Sequence, residues 1–335
     1  MGIYQYNVYV KETYNATGKA KGDVIRILNS LNINDLYRPS RYRLVRVVQQ
    51  FLAISKLRNK AENILFIQYP AVIDRFIEKA DTKFNLVAII HDLQSIRGSK
   101  TVEDEIKVLN RFSTVISHNS SMTNYLRVNG FKNSIVELEL FDYLHDSKLQ
   151  VKSNSFFKKR VTFAGNLNKS RFITKLDSLK SIDFLLYGLL DDPSKLDNLN
   201  NVEYKGSLPS DTIVNELEGE FGLVWDGEEI ETCSGILGNY LKFNNPHKIS
   251  LYLAANKPVI VWKESAVAKF VEKNKVGITI SSLQELDPIL SSMSKEEYEE
   301  LEQNVKKVKL KIADGYYTKK AVKNILSQFS NEEVQ

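Results

Sequence analysis

Short apolar, β-rich runs alternate with amphipathic helical stretches along all 335 residues of this sequence, and that alternation restricts its fold more than any other feature. A strand that returns parallel to its neighbour needs a helix-length crossover, so the pattern predicts parallel sheets covered by helices. In the first half, strands are expected over 3–10, 35–37, 64–68, 84–90, 114–116 and 134–140. Helices are expected over 22–31, 42–58, 72–79, 102–110 and 120–128, the last closed by Asn129-Gly130.

Between Tyr143 and Lys159 the periodicity dissolves into polar sequence, which places a domain boundary there. A second alternating series follows, with strands over 160–164, 183–187, 202–205, 220–225, 258–262 and 277–280. Its helices fall over 211–217, 246–255, 265–274, 283–290, 295–312 and 318–329. The expectation is an α/β protein of two doubly wound domains, 1–150 and 151–315, facing a central cleft. Asp314-Gly315-Tyr316-Tyr317 breaks the last two helices, so 316–335 is expected to cross back to the first domain.

Composition narrows the chemistry. Cys233 is the only cysteine and His91, His118, His145 and His247 show no ligand spacing, so no metal site is expected. The formal charge of +5 favours anionic partners, but no cluster of basic residues alternates with aromatics, which argues against nucleic acid. No apolar run reaches the length of a membrane span and the N-terminus lacks an export signal, so a cytoplasmic protein is expected. The lysines from Lys306 to Lys323 flank an apolar stripe of Tyr298, Leu301, Val305, Val308 and Ile312. They read as the solvated face of a packed helix, or else as a peripheral contact with the inner face of an anionic membrane.

Three segments carry the chemistry. Asn245-Pro246-His247-Lys248 reads as a helix start, with Asn245 as N-cap, Pro246 first in the helix and Lys248 in the first turn. Unpaired N–H groups, the helix dipole and the lysine charge would converge there on a phosphate, the alternative being a well-capped core helix. At the strand end Phe163-Ala164-Gly165-Asn166, Gly165 would let backbone approach a ligand, and Arg171 offers a planar fork for a diphosphate. Gly222-Leu223-Val224-Trp225 is a buried strand running into the acidic loop from Asp226 to Glu231.

Together these segments, with Leu253-Ala254-Ala255-Asn256-Lys257-Pro258-Val259-Ile260, resemble bacterial GT-B glycosyltransferases. The nearest members are the galactofuranosyltransferases of surface-polysaccharide synthesis and the glucosyltransferases of serine-rich-repeat adhesins. The resemblance implies two Rossmann-like domains, a UDP-sugar held mainly by the second, a saccharide acceptor facing the first, and no metal or other cofactor. The acceptor would be lipid-linked or on a glycoprotein, and a homo-oligomer is compatible with the family. Residue by residue, Arg171 and Lys248 match diphosphate positions, Tyr204 matches an aromatic near the nucleotide, and His247 moves the expected donor toward UDP-galactofuranose.

The sequence contains no Asp-x-Asp, the pair through which metal-dependent sugar-nucleotide transferases bridge the diphosphate, so fixed cations would stabilise the departing UDP. In the first domain, the polar loop 14–22 follows the first strand, and Asn15, Thr17 and Gly18 are expected near donor or acceptor. A second loop ends an apolar strand in His91-Asp92. If transfer inverts the anomeric centre, a base must take the acceptor proton, and Asp92 or His91 is the candidate; an Asp that only caps the next turn is the alternative. Two other readings share the fold: a UDP-glucose-dependent transferase and a non-catalytic GT-B scaffolding partner.

Overall fold

The computed structural model describes residues 2–7, 16–55, 63–70, 74–145 and 158–332. The chain forms two compact units, one of Met1–Glu12, Ala20–Leu140 and Gly315–Gln335, the other of Thr13–Lys19 and Phe141–Asp314. The boundary expected at 150–151 lies outside the described residues.

The sheet of the first unit comprises β1 (Gly2–Tyr6), β2 (Asn34–Asp35), β3 (Asn63–Tyr69), β4 (Asn85–Ile90), β5 (Thr114–Ser117) and β6 (Ser134–Glu137). All are parallel, in the order β2-β1-β3-β4-β5-β6. Every residue of β3 is buried, as expected of a central parallel strand covered on both faces, which is why Ile64–Ile67 is an unbroken apolar run. The two-residue edge strand β2 is exposed and too short to template further pairing.

The helices of this half are α1 (Ala16–Ser30), α2 (Arg43–Ser55), α3 (Asp74–Asp81), α4 (Val102–Leu109) and α5 (Ser120–Val128). Side-chain caps start the last two: Thr101 Oγ1 accepts from Asp104 N at 3.1 Å, and Asn119 Oδ1 from Met122 N at 3.0 Å. Gly130, at φ +96°, follows α5 in the left-handed conformation that a helix stop favours. Helix α1 starts six residues before the sequence suggested. Its buried residues Ala20, Val24, Ile27 and Leu28 form one stripe, and packing that stripe outweighs the roughly 1 kcal/mol that each of Gly18 and Gly22 costs a helix.

The second unit repeats the plan with β7 (Val161–Ala164), β8 (Phe184–Tyr187), β9 (Val202–Tyr204), β10 (Phe221–Val224), β11 (Val259–Trp262) and β12 (Gly277–Ile280). The order is β12-β11-β10-β7-β8-β9, again parallel. Its helices are α6 (Ile213–Glu216), α7 (Gly235–Tyr240), α8 (His247–Ala254), α9 (Ala268–Asn274), α10 (Leu286–Ser292) and α11 (Lys295–Asp314). Helix α7 was not anticipated, because six residues with two glycines carry no helical period.

Val305, Val308 and Ile312 of α11 are buried while Lys306, Lys307 and Lys311 stay exposed, so the lysines form the exposed face of a packed helix. The final helix, α12 (Tyr316–Glu332), belongs to the first unit, where Lys320 pairs with Glu139. Gly315 turns the chain between α11 and α12 at φ +74°, where a Cβ would stand 2.7 Å from Ile27. No described helix is long and apolar enough to cross a membrane.

Candidate functional site

In the second sheet the strand order reverses between β7 and β10, and a parallel sheet opens a crevice outside its carboxyl ends at such a point. Strand β7 ends there in Gly165-Asn166 and β10 in Trp225-Asp226. Next to them lies a cavity of about 420 Å³, ample for a small ligand. Its lining includes Gly165, Asn166, Gly188, Ser207, His247 and Lys248.

Two glycines allow close packing beside this crevice. Gly188 follows β8 at φ +133°, and a Cβ on it would fall 1.7 Å from the Gly165 carbonyl oxygen, so only glycine lets the two strand ends lie this close. Gly222, inside β10, makes room for the Tyr252 ring, which a Cβ would meet at 2.1 Å. Tyr252 is wholly buried, and its hydroxyl accepts from Ala164 N at the end of β7, at 2.7 Å. Helix α8 is thereby pinned on the sheet at the reversal point.

Lys248 lies one turn before Tyr252 on the same face of α8, so pinning one places the other. Its ammonium donates to both carboxylate oxygens of Asp226, at 3.1 and 3.2 Å, and to the Trp225 carbonyl at 3.2 Å. It also stands 4.5 Å from the centroid of the Phe163 ring. The amine is held in one position at the cavity wall, a cation oriented before any ligand arrives.

The start of α8 differs by one residue from expectation. Pro246 takes the N-cap position with extended backbone, ψ 137°, and no side chain caps the helix; His247 is its first residue and Asn245 is buried before it. The His247 ring stacks on Tyr143, with centroids 5.0 Å apart. Burial pushes it down to about 4, against the opposing pull of a hydrogen bond to the Asp142 backbone, and the nearby charge of Lys19 adds to the lowering. At neutral pH it is therefore uncharged and cannot help neutralise a phosphate. Its Nε2 is shut from solvent and has no hydrogen-bond partner among the described residues.

Two expected contacts are placed elsewhere. Arg171 opens a 3-10 helix, Arg171–Ser178, whose Phe172, Ile173 and Leu176 face the core, so the guanidinium points outward. It pairs with Glu228 at 3.2 Å and is absent from the cavity lining. The Tyr204 hydroxyl donates to the Gly188 carbonyl at 2.9 Å and holds the crevice loop from behind. Asn166 lines the cavity, and its Oδ1 accepts from Asn168 N at 3.1 Å.

Asn15 lies outside the described residues, and the loop expected over 14–22 is helical from Ala16, which puts Thr17 and Gly18 in the first turn of α1, in the Thr13–Lys19 stretch that belongs to the second unit. At the end of β4, His91 Nε2 meets Gln68 Oε1 at 2.8 Å, and because that oxygen only accepts, Nε2 carries the proton. Asp92 Oδ1 accepts from Arg97 at 2.8 Å, in a partly exposed pair. Behind them, His118 Nε2 donates to the Ile90 carbonyl at 2.9 Å and ties the ends of β4 and β5 together.

Burial pushes His118 down to about 4, against that hydrogen bond and the charge of Asp92. The unfolded chain, with an ordinary histidine, binds a proton that the folded one refuses between pH 6.5 and about 4. Stability is therefore full above the ordinary value and is lost as pH falls through this window, by on the order of 3 kcal/mol. Urea midpoints measured across the window should fall steeply in the wild type and less in His118→Gln. Equal slopes would contradict the assignment.

The sequence reading missed Gly188, Tyr143 and the Asp226 partner of Lys248. A glycine directly after a strand was a visible signal for Gly188; nothing in the sequence pairs Asp226 with Lys248, 22 residues away.

The fold has known counterparts. Residues 3–140 match the Glucosyltransferase 3-like, N-terminal domain family, and residues 161–325 the Glucosyltransferase 3-like, C-terminal domain family. Among curated relatives, beta-1,6-galactofuranosyltransferase WbbI of Escherichia coli (strain K12) is 36% identical over 246 residues, 73% of this chain and 72% of that protein. Glucosyltransferase 3 of Streptococcus gordonii is 24% identical over 330 residues, 92% of this chain and 94% of its own length.

Solved structures agree on the fold. Anabaena Alr3699/HepE in complex with UDP-glucose superposes with a TM-score of 0.58 at 13% identity, covering 99% of this chain and 100% of that one. The UDP-forming alpha,alpha-trehalose-phosphate synthase of Burkholderia vietnamiensis gives 0.60 at 8% identity, over 94% and 82%. With two six-stranded parallel sheets and these matches, the fold is GT-B. The chain belongs to the glucosyltransferase 3-like family and is a glycosyltransferase.

Proposed function

We propose that this glycosyltransferase moves a hexosyl unit, galactofuranosyl in the first instance, from a UDP-sugar to a saccharide hydroxyl with inversion and without a metal ion. The observation that carries the reading is the cation of Lys248, held at the wall of a cavity at the strand-order reversal that Gly165 and Gly188 also line. A departing UDP gains negative charge as the glycosidic bond breaks, and a preoriented ammonium stabilises that charge without reorganising. The absence of Asp-x-Asp supports metal independence. Asp92, with His91 as the alternative, is assigned as the base that accepts the acceptor proton.

The donor preference rests on the 36% identity to the galactofuranosyltransferase. A glucosyl donor is the second reading, favoured by the end-to-end match to the streptococcal glucosyltransferase. Thermal shift with UDP, UDP-galactofuranose and UDP-glucose tests the site. Ligand at about a hundred times its Kd should stabilise the protein by roughly 2.7 kcal/mol, with or without a chelator. No shift with any of the three, or one abolished by the chelator, would overturn the reading.

A further inference from the structure

Helix α2 is apolar on two faces, one packed and the other exposed. On the inner side Phe51 meets Phe76 edge to face at 6.3 Å, and the buried Gln50 donates to the Tyr37 hydroxyl at 3.0 Å. On the outer side Leu44 is 82% exposed and Val48 and Leu52 are each 57% exposed, one turn apart in a single stripe, with Val45 and Tyr42 beside them. Solitary exposed residues such as Val128 and Leu310 are ordinary, but a continuous stripe this exposed marks a surface that something covers.

Charge says what covers it. From Leu36 to Ala61 the sequence holds Arg38, Arg41, Arg43, Arg46, Lys56, Arg58 and Lys60 and not one aspartate or glutamate. This one segment carries more positive charge than the net +5 of the whole chain. Arg38 and Arg41 are exposed and have no carboxylate partner among the described residues, and Arg41 stacks 4.7 Å from the centroid of the Tyr42 ring. An apolar stripe among unneutralised arginines, with a tyrosine at its end, is the composition of a helix that lies in a membrane interface.

We propose that the outer face of α2 docks the protein on an anionic phospholipid bilayer. Leu44, Val48 and Leu52 would enter the boundary between headgroups and acyl chains, while Arg38 and Arg41 meet lipid phosphates. Thirteen residues make a helix of about 20 Å, too short to span a bilayer but long enough to lie in its surface. A second copy is the less suitable occupant, because a two-fold contact of α2 on α2 would set these arginines against their own copies. The proposal does not depend on which sugar is transferred.

Co-sedimentation of the full chain with two kinds of vesicle tests it: equal parts phosphatidylglycerol and phosphatidylcholine, and phosphatidylcholine alone. The wild type should bind the first kind and not the second, with binding weakened by high salt. The triple variant Leu44→Glu, Val48→Glu, Leu52→Glu should lose at least about tenfold in partitioning. The double variant Arg38→Glu, Arg41→Glu changes only exposed side chains and should show a similar loss, which covers the case of a triple variant that fails to fold. Absence of binding to anionic vesicles, equal binding to neutral ones, or undiminished binding by the folded variants would overturn the proposal. So would light scattering that found a dimer dispersed by the triple variant, with no vesicle binding, since the face would then belong to a second copy.

Discussion

Lys248→Met is expected to lower turnover by about 10²–10³-fold, the usual consequence of removing one preorganised group that stabilises charge developing in a transition state. The reasoning starts from packing. Tyr252 is locked into the space left by Gly222 and bonded to Ala164 N, and Lys248 rides on the same helix face, so its ammonium has little freedom. Asp226 and the Trp225 carbonyl fix the amine without enclosing it, and it keeps its place at the cavity wall. Methionine preserves most of the stem and removes the charge. On the proposed reading the same charge meets the diphosphate in the ground state, so UDP affinity should fall with turnover.

Arg171→Ala supplies the contrast. That side chain is 73% exposed and its pair with Glu228 is of the kind worth about 0–1 kcal/mol, so its loss should cost less than about fivefold. Equal losses in the two variants would mean that Arg171 swings into the site on binding. Undiminished turnover and UDP affinity in a folded Lys248→Met protein would move the donor site elsewhere.

Asp92→Asn should reduce kcat by about 10²–10⁴-fold, the range for removal of a general base, with donor affinity preserved. His91 Nε2 carries its proton toward Gln68, which leaves Nδ1 as the ring's acceptor. Asp92 uses one oxygen for Arg97, and its second has no partner among the described residues. Arg97 also orients the carboxylate, as a bidentate-capable guanidinium does. A folded Asp92→Asn enzyme with wild-type kcat, beside an inactive His91→Gln, would give the role to the histidine; full activity in both would remove the base from this loop.

Much of the fold was legible because parallel strands buried on both faces write themselves as apolar runs. Residues 64–68, 114–116 and 160–164 needed no partner to be recognised. What escaped depended on neighbours distant in sequence. Gly18 and Gly22 read as a loop, yet α1 runs through them because Ala20, Val24, Ile27 and Leu28 find a core to cover. Asn245 is a better capping residue than Pro246 by intrinsic preference, but the backbone turns into the helix one residue later.

The candidate site divides the same way. Gly165 and Lys248 were visible through local rules, a glycine after a strand and a lysine in a first helical turn. Tyr204 was noticed for its ring, whereas the structure uses its hydroxyl to hold Gly188. The direction of Arg171 follows from which residues of its short helix reach the core, and no local rule reports that.

Acceptor-dependent release of UDP tests the reading most directly. Purified protein should release UDP from UDP-galactofuranose or UDP-glucose when a saccharide acceptor is present, at a rate unaffected by chelator and cut at least about a hundredfold in Lys248→Met. Interconversion of the donor sugar without acceptor, or UDP release that requires a divalent ion and ignores Lys248, would contradict it.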